Sequence, residues 1–319
     1  MDPAYDQYEK AREFYRTHEY LAWIGEDESD EETIRSANEE ALDQSENANS
    51  PANTDSASAK ISDQPMIYPM QQLMDYDFLM KHFYNVHTST TADRELMNAK
   101  NLLSKDLTLE KEDAPQILIY HTHSQEGFVD SVPGDNSTTI MGAGEYLSEL
   151  LREKGFEVMH VTSVYDLVDG ELDRNEAYSR AEKEISQILE EYPSIQAVID
   201  LHRDGVNENT HLVTEINGKP MARFMFFNGL SRTKKNGPID YLYNPYIEDN
   251  LALTLQLKLL CDQYYPGLSR NIYLKSLRYN LHLSDKALLI EVGAQTNTLQ
   301  EILNTMEPLS VLLAKVFGV

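Results

Sequence analysis

Three short, largely apolar runs each end in a histidine or a glutamate. Gln116-Ile-Leu-Ile-Tyr120 runs into His121-Thr122-His123-Ser124-Gln125-Glu126, Val198-Ile-Asp-Leu ends at His202, and Ala287-Leu-Leu-Ile ends at Glu291. Apolar runs of this length read as buried strands. In open α/β sheets, ligands bind outside the carboxyl ends of the strands. A chain that delivers imidazoles and carboxylates at three such ends has the layout of an α/β metallohydrolase.

The elements around these runs alternate. Helices are expected over 73–84, 138–154, 174–192, 247–264 and 299–317, the last interrupted at Pro308, with strands over 116–120, 156–161, 195–201, 271–275 and 287–292. The 138–154 segment sets Ile140, Ala143, Tyr146, Leu147, Leu150 and Leu151 on one face, and Gly155 stops it. Strands alternating with helices imply βαβ units, so the fold class is α/β, a mainly parallel twisted sheet with helices on both faces. Asn217-Gly218, between 210–216 and 221–227, signals a β-hairpin insertion. The expected organisation is a helix over 1–24, an acidic disordered linker over 25–65, and a catalytic domain over 66–319. The linker reading rests on the near absence of large apolar residues, without which ordering entropy is not offset.

Charge narrows the partners. The net charge is −26, and 17 acidic against 5 basic residues in 1–65 account for 12 of that excess. Nucleic acid and anionic membrane are excluded as main partners, because binding phosphates needs Lys and Arg. The single cysteine, Cys261, rules out a disulfide framework and a cysteine-based zinc site. No run of 18 apolar residues and no charged-then-apolar start is present, so neither a membrane anchor nor a signal peptide is expected in this chain.

The chemistry follows from the strand ends. His123 and Glu126, three apart, can converge on one ion after a turn, and His202 can supply a third ligand from a neighbouring strand. Catalytic zinc sites use three protein ligands and keep one open position. His121, in phase with His123 in an extended chain, remains an alternative ligand or a substrate contact. Asp200 or Asp204 can orient an imidazole. Glu291, closing an apolar strand, is the candidate general base, since burial raises a carboxyl pKa toward the useful range. Arg203 is a candidate for holding an oxyanion, and Arg278 for gripping a carboxylate. The other histidines lack company at ligand spacing and read as structural.

These segments resemble the stage II sporulation protein P family. The shared features are the strand followed by His121-Thr-His-Ser-Gln-Glu126, the element Asp200-Leu-His-Arg-Asp204, and Arg278-Tyr-Asn280 through Leu283-Ser284 to Ala287-Leu-Leu-Ile-Glu-Val-Gly293 with Asn297-Thr298. The lead-in Phe83-Tyr-Asn-Val86 also matches. The resemblance spans about residues 70–319. It implies an amidase type-3-like fold and a zinc-dependent N-acetylmuramoyl-L-alanine amidase of peptidoglycan, working outside the cytoplasm during engulfment, in a family also credited with action on the peptide cross-links. It further implies a lytic transglycosylase partner, stage II sporulation protein D. Metal and catalytic roles map onto the His121/His123 pair, Glu126, His202 and Glu291. Ser124-Gln125 and Gly127-Phe128 depart from the family's usual residues around the glutamate, as does the lack of an anchor. A zinc exopeptidase and a non-catalytic envelope scaffold are the rival readings.

Overall fold

The computed structural model describes residues 66–174 and 176–319; the expected helix over 1–24 and linker over 25–65 lie outside the described residues. In chain order the strands are β1 (Tyr84–Val86), β2 (Ile117–Tyr120), β3 (Val158–His160), β4 (Leu167–Val168), β5 (Glu171–Leu172), β6 (Ala197–Asp204) and β7 (Val213–Ile216). They continue as β8 (Lys219–Ala222), β9 (Phe224–Gly229), β10 (Arg232–Thr233), β11 (Gly237–Pro238), β12 (Ile272–Lys275) and β13 (Ala287–Ala294). The helices are α1 (Met70–Leu73), α2 (Tyr76–Phe83), α3 (Ala99–Ser104), α4 (Ile140–Glu153), α5 (Ala177–Glu191), α6 (Ile247–Tyr264) and α7 (Leu299–Val316). None of these helices is long and apolar enough to cross a membrane.

Seven strands form one sheet in the order β1-β12-β9-β13-β6-β2-β3. Neighbours pair in parallel everywhere except between β9 and β13. The fold is therefore α/β with a mainly parallel sheet, built of two parallel halves that run in opposite directions. The Asn217-Gly218 hairpin forms as β7 and β8, with both turn residues at positive φ (51° and 77°), as the tight hairpin turn requires. Its second arm is shorter than expected. The hairpin pairing ends with the Arg223 N–H donating to the Leu212 carbonyl, and Phe224 then enters the large sheet as β9.

Alternation along the strands sorts side chains onto two unequal faces. Ile117, Ile119, Ala197, Ile199, Leu201, Leu288, Ile290 and Val292 join the main core with residues of α4, α6 and α7. Leu118, Tyr120 and Val198 face the other way, onto Ala177, Ala181 and Ile185 of α5. Asp200 and His202 share the parity of Val198, and Glu291 that of Leu289. The polar residues of these strands thus lie on the thinly covered face.

Two helix boundaries differ from expectation. The segment 73–84 divides because Asp75 caps α2, its side chain accepting from the Phe78 N–H at 2.8 Å. Conversely, α7 continues through Pro308. A proline inside a helix costs about 3 kcal/mol, but Ile302, Met306, Leu309, Leu312 and Leu313 are fully buried on either side of it. At roughly 1.5–3 kcal/mol per buried aliphatic side chain, packing outweighs the lost hydrogen bond. A capping box anchors the helix start: Thr298 accepts from the Glu301 N–H and the Glu301 carboxylate accepts from the Thr298 N–H. Thr298→Ala should lower the unfolding free energy by about 1 kcal/mol in urea titration, and Thr298→Ser should recover most of it. An unchanged midpoint for Thr298→Ala would show that the cap adds nothing.

Candidate metal centre

The segment after β2 is held by contacts that reach far along the chain. The Asp200 carboxylate accepts from the Thr122 N–H at 2.9 Å and the Thr122 hydroxyl at 2.6 Å. Asp166, fully buried, accepts from the Ser124 hydroxyl at 2.6 Å and the Gln125 N–H at 3.2 Å. The Glu126 carbonyl accepts from the Ile140 N–H at the start of α4. These ties turn the chain sharply after Tyr120.

The turn separates the two histidines. His121 keeps the parity of Ile117 and Ile119 and points to the α4 side. Its Nδ1 donates to the Leu201 carbonyl at 2.7 Å and its Nε2 lies 2.9 Å from His160 Nε2. Gly144 makes room for it, since a Cβ there would sit 2.5 Å from His121 Nε2. Burial, followed by the neighbouring His160, pushes its pKa down to about 3, so His121 is a neutral packing residue. His123 instead joins Glu126 and His202, whose ligand-type atoms all lie within 4.8 Å of one another. His123 Nδ1 is 3.5 Å from Glu126 Oε1, His202 Nδ1 is 3.7 Å from Glu126 Oε2, and the two imidazoles meet edge to face at 5.0 Å.

The donor set suits a zinc-like ion. Two imidazoles and a carboxylate are ligand types Zn²⁺ takes, and His123 Nε2 is buried without a hydrogen-bond partner. Burial would raise the pKa of Glu126, but His123, His202 and Arg203 outweigh it and hold the carboxyl at about 2, fully ionised. The Arg203 N–H also donates to Glu126 Oε2 at 2.8 Å. Asp200 Oδ1 sits 2.7 Å from His202 Nε2, the position of a carboxylate that orients a ligating imidazole.

Glu291 pairs in register with His202 across β13 and β6. Burial first, then the negative charge of Asp204, pushes its carboxyl well above the usual range, although His202 pulls the other way. The side chain remains partly open to solvent. The two candidate arginines are engaged elsewhere. Arg203 donates from Nε to the Gly127 carbonyl at 2.8 Å and from Nη1 to the Asp204 carbonyl at 3.0 Å. Arg278 grips both oxygens of Glu182 at 3.0 and 3.1 Å. Four neighbours escaped the sequence reading: Asp166, Arg270 beside Asp204, and Tyr178 and Tyr279, whose rings lie along the site. Tyr279 sits in the Arg278-Tyr-Asn280 motif, the one signal that pointed to any of them.

A metal-ligand constellation at the carboxyl ends of a mainly parallel sheet defines the class. The family model for stage II sporulation protein P matches residues 7–317, and the chain belongs to that family. It is 26% identical over 205 residues to stage II sporulation protein P of Bacillus subtilis (strain 168), covering 60% of this chain and 48% of that protein. The chain thus spans about half the length of the curated relative it matches. Among solved structures, it is similar to the CwlD amidase from Clostridioides difficile in complex with the GerS lipoprotein, at 13% identity and a TM-score of 0.37, covering 63% of this chain and 98% of that one. It is also similar to the N-acetylmuramoyl-L-alanine amidase AmiC2 of Nostoc punctiforme, at 14% identity and a TM-score of 0.35, covering 63% and 94%.

The Glu182 clamp has a pH signature. Burial opposes its ionisation, but His282 and Arg278 prevail and lower its pKa to about 2. A depressed carboxylate stabilises the fold above its unfolded pKa, here near 4.5, and loses that contribution as pH falls toward 2. Urea midpoints of wild type and Glu182→Gln should therefore differ most near neutrality and converge below pH 4.5. A constant gap down to pH 2 would contradict the clamp.

Proposed function

We propose that this chain is a zinc-dependent peptidoglycan hydrolase that cleaves the amide between N-acetylmuramic acid and L-alanine, acting outside the cytoplasm. The observation that carries the reading is the convergence of His123, Glu126 and His202 beside Glu291. Family membership supplies the sporulation context, and peptidoglycan is the substrate that context suggests.

His123, Glu126 and His202 would hold the ion. Zinc bound there would supply Lewis acidity to the amide carbonyl and acidity to a water. Glu126, already ionised, has no proton to give up on binding. Asp200 keeps His202 oriented and, through Thr122, keeps the His123–Glu126 segment against β6. Glu291 takes the proton of the attacking water and returns it to the leaving amine; a nearby cation would draw its raised pKa back toward neutrality. The exopeptidase reading needs an arginine free to grip a terminal carboxylate. Arg278 is held by Glu182 and Arg203 by backbone carbonyls, which weighs against that reading. The scaffold reading leaves a complete ligand set and an adjacent half-buried glutamate without a task.

Elemental analysis of the full chain and three variants, with muropeptide digestion followed by mass spectrometry, tests the proposal. Wild type and Glu291→Gln should carry near-stoichiometric zinc, and His123→Ala and His202→Ala should lose it. Glu291→Gln should lower kcat by about 10²–10⁴-fold. Wild type that takes up no zinc, or Glu291→Gln that loses zinc with activity, would overturn the assignment.

A further inference from the structure

Among the described residues, the surroundings of the three-ligand cluster are rich in acceptors. Asp200, Asp204 and Glu291 are all carboxylates, and the nearby cationic donors are engaged: Arg203 with backbone carbonyls, Arg278 with Glu182, and Arg270 with Asp204. An amide hydrolase must stabilise negative charge as it develops on the scissile carbonyl oxygen, and fixed hydrogen-bond donors do this at little reorganisation cost. A donor that no ion pair already holds would share that task with a bound metal.

The Tyr279 hydroxyl is buried and has no hydrogen-bond partner. Buried polar groups are almost always paired, so an orphan calls for an explanation. Ring contacts link the residue to the ligand cluster through Tyr178. Its ring meets Tyr178 edge to face at 5.5 Å and Phe227 at 4.7 Å. Tyr178 in turn stacks over His202 at 6.5 Å with planes 15° apart, and meets His123 at 5.6 Å. Burial pushes the phenol well above its ordinary pKa, and neighbouring acidic groups, Tyr273 and Glu291, add to this, so it stays a donor.

The backbone holds this placement at a cost. Tyr279 and Asn280 are consecutive non-glycine residues in the left-handed region, with φ of 52° and 56°. Each such residue costs on the order of 1–3 kcal/mol and persists only where its surroundings enforce it. Three contacts to α5 do so: Arg278 to Glu182, His282 to Glu182 at 3.0 Å, and the Asn280 side-chain amide donating to the Tyr178 carbonyl at 2.9 Å. On the other side, Gly229 lets the loop approach, since a Cβ there would lie 2.1 Å from the Leu277 carbonyl oxygen and 2.8 Å from the Tyr279 ring. A strained loop clamped on both sides presents one unpaired donor.

We propose that the Tyr279 hydroxyl donates a hydrogen bond to the amide oxygen of the bond being cleaved, an inference that rests on the amide-hydrolase reading above. Arg278, Asn280 and His282 are then positioning residues for Tyr279. The test compares zinc-loaded wild type, Tyr279→Phe and Glu291→Gln on purified muropeptides, with kcat and KM measured separately and zinc content and Tm taken on the same samples. Tyr279→Phe should lose at least tenfold in kcat, keep KM within about threefold, keep full zinc, and show a Tm no lower than wild type, because removing an unpaired buried hydroxyl does not destabilise. A kcat within twofold of wild type, or loss of zinc, would overturn the inference. Failure of the hydrolase reading is seen separately, as zinc-loaded wild type that releases no product, and that result would sink both.

Discussion

Asp200 is the carboxylate on which the site depends. It lies in the middle of β6, buried, and reaches two elements at once: the backbone and hydroxyl of Thr122 after β2, and the far nitrogen of His202 two residues along its own strand. Burial alone would favour its protonated form; His202 and the two donors of Thr122 reverse this and keep it ionised. A carboxylate so enclosed is costly unless every contact is made. Meeting that condition fixes the loop that carries His123 and Glu126 against the strand that carries His202. The ligand geometry is thus a by-product of solvating one buried charge.

Strand parity then decides which polar residues reach the site. Ile119 of β2 pairs with Ile199 of β6, so His121 faces the same side as Leu201 and opposite to His202. No rotation of His121 brings it to the cluster of His202 and Glu126 while β2 stays in register. His123 joins that cluster because the chain leaves the strand direction after Tyr120. The same parity sets Asp200, His202 and Glu291 on the face covered by a single long helix, α5. The opposite face, under α4, α6 and α7, supplies most of the core. Stability and chemistry are divided between the two sides of one sheet.

The elements were legible in the sequence because each is locally marked: apolar runs for β2, β6 and β13, a period near 3.6 for α4 and α5, and Asn-Gly for the hairpin. The antiparallel join of β9 and β13 was not legible, since pairing partners are set by the path of the chain between strands. The residue types of the cluster, and the place of Glu291 beside His202, could be read from strand ends. The choice between His121 and His123 could not, because parity means nothing without the register of β2 on β6. The partners of Arg203 and Arg278 were not legible for a related reason. A guanidinium in sequence carries no mark of its acceptor, and Glu182 is 96 residues away from Arg278. Pro308 misled because a local rule was outweighed by packing on both sides of it.

The charge balance around the ligands completes the picture. Glu126, Asp200, Asp204 and Glu291 crowd together with His202, Arg203 and Arg270 as their nearby cationic partners; burial and Asp204 drive Glu291 toward its neutral form, while the imidazoles and Arg203 keep Glu126 ionised. The two glutamates are the same residue type in one cleft, yet their environments push them to opposite protonation states. That separation divides their roles, with the ionised one suited to ligation and the other suited to carrying a proton. A divalent cation among these groups would lower the energy of every ionised carboxylate present, so the arrangement is more costly empty than filled. The aromatic side of the cleft, Tyr178 and Tyr279, adds no charge. It supplies what the carboxylates lack, a neutral donor held in place by the same clamp on α5 that engages Arg278.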